Sequence, residues 1–118
     1  MRECWLCGRN GSGDPLDRHH IFGGAYRSKS DKLGLTVYLC HQRCHESGAK
    51  AVHNNAETAE RLHKYGQAKA MLEQGWDVTQ FRAEFGRNYL DATEIAELMV
   101  PASANGGDFE LLAEFLPF

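Results

Sequence analysis

Four cysteines in two tight pairs constrain this chain more than any other feature. Cys4 and Cys7 are separated by two residues, and Cys40 and Cys44 by three. Each pair is short enough for both sulfurs to reach one ion. The N-terminal segment Met1-Arg2-Glu3-Cys4 has no apolar signal core, and no apolar run approaches the ~18 residues needed to cross a bilayer. A cytoplasmic protein without a membrane segment is therefore expected. In a reducing compartment, four thiolates on a structural Zn²⁺ are favoured over two disulfides or four free thiols. The interval between Cys40 and Cys44 is one residue longer than in the usual zinc knuckle.

A chain of 118 residues supports one domain with one modest core. Its composition, 42% hydrophobic and 25% charged, is that of an ordinary globular protein rather than a disordered or fibrous one. The net charge is −3, but residues 1 to 53 hold eight basic against five acidic side chains, a local +3, which leaves −6 for the remaining 65 residues. A basic half that also carries the Cys and His residues is consistent with a polyanionic substrate, and equally with a solvated surface that happens to be asymmetric.

Residues 2 to 9 are expected to form a knuckle, with Gly8 taking the positive backbone angle after the Cys-x2-Cys turn. Asn10 to Pro15 reads as a loop, Leu16 to Phe22 as a strand or extended segment, and Gly34 to Leu39 as a second strand delivering Cys40. Between them, Ala25 to Leu33 is polar and reads as a loop whose Arg27, Lys29 and Lys32 either contact phosphates or stay exposed. Ala56 to Gln74 has the composition and three-to-four spacing of an amphipathic helix, capped by Asn54 or Asn55 and ended by Gly75. A second helix starts at Asp77 or Thr79 and stops at Gly86. A third spans Asp91 to Met99 and ends at Pro101. The fold class expected is α+β: a small two-strand and helix core with a zinc knuckle, followed by two or three helices. Residues 1 to 100 form one domain, with the core in about 1 to 75 and a helical extension in about 76 to 100. The apolar tail, 101 to 118, is expected to pack on the body or on a second subunit.

Five of the six histidines fall between positions 19 and 53, which points to a site rather than to scattered surface rings. On an extended strand, adjacent His19 and His20 face opposite sides and do not easily share an ion. That geometry suits a division of labour in which one ring binds a metal and its neighbour, with an unperturbed pKa of about 6.5, takes a proton from water. Phosphodiester hydrolysis needs an activated water, charge neutralisation and help for the departing oxygen. A histidine supplies the first, and one divalent ion the other two. His41, His45 and His53 are further candidate ligands. His45 is placed by its neighbour Cys44, and His53 converges if Gly48 lets the chain fold back, whereas His41 reads as exposed. His63, within the long helix, carries no functional signal.

Cys4-x2-Cys7, His19-His20-Ile21, the Gly-Leu-x-Val-x-Leu-Cys run from Gly34 to Cys40, and Cys44-His45 together resemble the HNH, or His-Me finger, endonucleases with the ββα-metal fold. Val52-His53-Asn54-Asn55 and Phe85 to Leu90 extend the resemblance to the phage-associated branch, over roughly residues 4 to 90. The chain departs from the pattern in the longer Cys40–Cys44 interval and in having no Asn between the two strands, a role left to Asn54 or Asn55. The resemblance implies that His20 is the general base, that His19, His45 and His53 hold a catalytic Mg²⁺, Mn²⁺ or similar ion, and that Cys4, Cys7, Cys40 and Cys44 hold the structural Zn²⁺. It implies a metal-dependent DNA endonuclease producing 5′-phosphate and 3′-hydroxyl ends, with Arg18, Arg27, Lys29 and Lys32 on the DNA backbone. The alternative is a non-catalytic zinc module that binds nucleic acid or a phage or prophage protein. A third reading is an assembly protein whose Cys and His serve structural zinc, with strong dimerisation through the tail.

Overall fold

A computed structural model describes residues 2 to 98. The apolar tail and the end of the third expected helix lie outside the described residues. The fold is small and α+β, as expected: a two-stranded antiparallel sheet and several helices. Strand β1 (Leu16–His20) pairs with β2 (Thr36–Cys40) in a register that sets Leu16 opposite Cys40 and His19 opposite Val37. The knuckle docks on this hairpin, since Trp5 N–H donates to the Tyr38 carbonyl at 2.7 Å and Cys4 bridges Tyr38.

The connection between the strands is more ordered than its polar sequence implies. Gly24–Tyr26 forms a 3₁₀ turn and Arg27–Lys32 a short helix, α1, where a loop was expected. Tertiary bonding overrides the composition here. Ser30 is fully buried, and its hydroxyl donates to the Phe22 carbonyl at 2.8 Å and accepts from the Phe22 N–H at 3.3 Å. Tyr26 and Leu33, on either side, pack on the core.

After β2 the chain makes one π-helical turn, His41–Glu46, and then enters helix α2 (Ala56–Gln74). Of the two possible caps, Asn55 is the one used: its side chain accepts from Thr58 N–H at 3.0 Å, and Gly75 ends the helix in the left-handed conformation. Helix α3 (Val78–Phe85) opens on a reciprocal capping box between Asp77 and Gln80 and stops at Gly86, as expected, and α4 covers Ala92–Leu98. The core lies between the hairpin, α2 and α3, and its largest fully buried side chains include Ile21, Leu35, Leu39, Leu62 and Phe81. Phe22 stands at its centre, with ring centroids 4.7 Å from Phe85 and 5.5 Å from Phe81.

The Phe85 to Leu90 segment has a structural task. Gln67, fully buried on α2, accepts from Tyr89 N–H at 2.7 Å and donates to Asn88 Oδ1 at 2.8 Å. Asn88 in turn donates to the Leu90 carbonyl. Gln67 thus uses both ends of its buried amide to hold the segment to α2, while Asn88 also bonds within the segment. Among the described residues no helix is long and apolar enough to cross a membrane.

Candidate metal centres and their surroundings

Three groups of metal-ligand side chains form around the π-helical turn, two of them built from cysteines alone or histidines alone. Cys4 and Cys7 come from the knuckle, Cys40 from the end of β2 and Cys44 from the turn, and their four sulfurs all lie within 4.8 Å of one another. Cys7 and Cys40 Sγ are 3.6 Å apart. A tetrahedral ion with Zn–S of about 2.3 Å separates its sulfurs by about 3.8 Å, so the cluster could hold a metal ion such as zinc. The cluster is polarised. Burial raises the Cys7 thiol, but hydrogen bonds from Arg9 and from Cys40 and Cys44 outweigh it and bring the pKa down to about 6. Burial pushes Cys40 up to about 11 and Cys44 upward as well. Without a cation, Cys40 and Cys44 hold their protons, and a bound cation is what would favour their thiolates.

The extra residue between Cys40 and Cys44 is accommodated by the π-helical geometry. Asp14 anchors the turn: its two carboxylate oxygens accept from the Gln42 and Arg43 N–H groups, each at 3.0 Å. These backbone bonds hold the Asp14 carboxyl below the usual carboxylate range. Gly48 lets the chain fold back, as expected. A Cβ at this position would lie 1.9 Å from the Arg43 carbonyl oxygen, so no other residue fits without moving the backbone. The return brings 52 and 53 alongside 44 and 45, with Val52 N–H on the Cys44 carbonyl at 2.8 Å and His53 N–H on the His45 carbonyl at 3.1 Å. Asn54 and Asn55 secure the same loop by donating to the carbonyls of Gly48 and Ala49.

The result is a second group, His19, His45 and His53, with one ring nitrogen of each within 4.8 Å of the others. His45 and His53 Nε2 are 3.1 Å apart, and the His19 centroid lies 5.1 Å from that of His45 and 5.5 Å from that of His53. Burial lowers the His19 pKa to about 4, and the neighbouring imidazoles add to the shift. A neutral ring is the form that binds a cation.

Strand alternation separates the neighbours of His19. His20 bonds Asp31 Oδ1 on α1 through Nε2 at 3.0 Å, and Arg18 donates to the same oxygen at 2.6 Å. Asp31 was not singled out in the sequence, although it is the one carboxylate between the strands. The hydrogen bond from Arg18, with that from His20, holds it well ionised. Of the four basic residues expected on a nucleic-acid backbone, Arg18 is thus engaged with Asp31, and Lys29 with the Glu84 side chain and carbonyl, both shorter than 3 Å. Arg27 and Lys32 make no such internal bond among the described residues. His41 is not a bare surface ring, because its Nδ1 bonds Asp17 Oδ2 at 2.6 Å. His63 packs between Phe22 and Tyr89, with centroids 5.6 and 4.6 Å away. No family model, curated protein or solved structure matches this chain.

Proposed function

We propose that the protein is a metal-dependent DNA endonuclease that hydrolyses phosphodiester bonds with a histidine general base. The observation that supports this most is the convergence of His19, His45 and His53 from three separate segments, with His20 next in sequence and backed by a carboxylate. A packing role does not call for three imidazoles gathered at one point. A Mg²⁺, Mn²⁺ or similar ion held by these three rings would supply charge neutralisation at the phosphate and stabilise the departing oxygen. The four-cysteine cluster would hold Zn²⁺ and fix the turn that carries His45.

The protein's own groups account for the proton. An ionised Asp31 only accepts, so His20 carries its hydrogen on Nε2 and its lone pair on Nδ1. Nδ1 then takes a proton from the attacking water as its oxygen bonds to phosphorus. The P–O3′ bond breaks and O3′ takes a proton from solvent water, leaving a 5′-phosphate and a 3′-hydroxyl. Arg27 and Lys32 are left to meet the DNA backbone, which makes affinity dependent on salt and weakly dependent on sequence.

Supercoiled plasmid incubated with the protein and Mg²⁺ or Mn²⁺ is expected to be nicked, and EDTA to stop the reaction. His20→Ala is expected to abolish nicking while zinc content and circular dichroism stay as in the wild type. Unchanged nicking by that variant would remove His20 from the mechanism. The second reading, a zinc module that binds nucleic acid or a phage protein without catalysis, draws on the internal pairing of Arg18 and Lys29, two of the four residues expected on a phosphate backbone. It predicts zinc binding with no ion-dependent nicking by the wild type.

A further inference from the structure

Asp17 is half-buried on β1, two residues before His19 and on the same face of the strand. Its Oδ2 is the meeting point of two rings, His41 Nδ1 at 2.6 Å and His45 Nδ1 at 2.8 Å. These rings are four residues apart in the single π-helical turn, which places both on the side facing β1. The longer Cys40–Cys44 interval therefore does two things: it closes the sulfur cluster and brings two imidazoles to one carboxylate.

An ionised carboxylate cannot donate, so both Nδ1 atoms carry the hydrogen. A neutral His45 then has its lone pair on Nε2, the atom that lies 3.1 Å from His53 Nε2. Left to itself an imidazole samples both tautomers, and the Nδ1 lone pair would face away from His53.

We propose that Asp17 is the positioning carboxylate of the histidine site: it locks His45 into the Nδ1–H tautomer and presents Nε2 to the ion, while His41 braces Asp17 from the solvent side. The inference rests on the reading of His19, His45 and His53 as an ion site. Distances favour it over direct chelation by Asp17, His41, His45 and Glu46, which also lie close enough together to be considered. Two nitrogen or oxygen ligands about 2.1 Å from one Mg²⁺ or Mn²⁺ at the octahedral angle sit about 3.0 Å apart. The 2.6 and 2.8 Å separations at Asp17 are hydrogen-bond lengths, too short for that angle, whereas the 3.1 Å between the two Nε2 atoms is close to it.

Mn²⁺ is the probe because the thiolate cluster selects zinc and does not compete for manganese. Full-length, zinc-loaded protein is titrated with Mn²⁺ while free Mn²⁺ is followed by electron paramagnetic resonance, and the His45 tautomer is read from ¹⁵N–¹H spectra before Mn²⁺ is added. Asp17→Ala is expected to weaken Mn²⁺ binding on the order of 10- to 100-fold and to shift His45 towards Nε2–H, with zinc stoichiometry unchanged. Asp17→Asn, whose Oδ1 still accepts from Nδ1–H, is expected to keep the tautomer and lose less affinity. His41→Ala is expected to leave Mn²⁺ bound. Wild-type affinity or an unchanged tautomer in Asp17→Ala would overturn the proposal. Loss of Mn²⁺ in His41→Ala would overturn it in favour of direct chelation. A wild type that binds no Mn²⁺ at all would overturn both the proposal and the ion site beneath it.

Discussion

At the scale of single residues, carboxylates set the roles of the histidines. Strand alternation sends Asp17 and His19 to one side of β1 and Arg18 and His20 to the other, so each histidine meets a different partner. Asp31 orients His20 and, in the proposed reaction, would stabilise the imidazolium formed if His20 deprotonates water. Asp31→Asn is expected to lower the nicking rate on the order of 10²-fold with the fold intact, and single-turnover plasmid kinetics would measure it. A rate equal to wild type would mean that His20 needs no backing charge. His63 makes a different kind of prediction. Burial, together with the nearby Arg87 charge, lowers its pKa below the ordinary 6.5. As pH falls below about 6.5 the unfolded chain takes up a proton that the folded chain resists, so this contribution is fully present above that pH and declines beneath it. His63→Phe is expected to flatten the fall in urea midpoint between pH 7 and 5.5 relative to wild type, and parallel profiles would contradict the assignment.

At the scale of elements, the hairpin and α2 approach closely because α2 carries Gly66 where they meet. A Cβ there would lie 2.5 Å from Ile21 Cγ2 and 3.0 Å from the Phe22 ring. Alanine gains about 1 kcal/mol of helix propensity over glycine, but forcing a methyl group into a packed core costs about 1–3 kcal/mol. Ile21 and Phe22 are both buried and neither can swing into solvent. The clash is therefore expected to win, with Gly66→Ala less stable by about 1 kcal/mol in denaturant unfolding; a more stable variant would show that the sheet can retreat. Ile21 and Phe22 directly follow the paired histidines, so the same variant would also disturb the site.

At the scale of the whole molecule, a 97-residue described body has a modest core, and chains of this size commonly lean on a metal or another cross-link. The four sulfurs gather from the knuckle, the end of β2 and the π-helical turn, and an ion among them would tie these segments together. Cys7→Ser is expected to release zinc and lower the melting temperature, as measured by a chromogenic zinc assay and calorimetry. An unchanged melting temperature with zinc retained would refute the structural metal. The basic N-terminal half does not translate directly into a basic surface, since Arg18 and Lys29 are spent on Asp31 and Glu84.

Sequence by itself determined what is encoded in short intervals. The cysteine pairs, the two strands, the Gly75 stop, the capping segment before α2 and the separation of His19 from His20 all follow from spacing, period or local backbone preference. Their causes act over a few residues. Only the tertiary structure decided which polar groups meet. A polar run read as loop became α1 because Ser30 is buried against Phe22, eight residues away. Asp17 and Asp31 gained partners more than ten residues distant, and two of the four expected phosphate contacts were taken up internally. Hydrogen bonds and ion pairs between distant segments leave no periodic trace, because their donors and acceptors are brought together only when the hairpin, the turn and α2 close around the core.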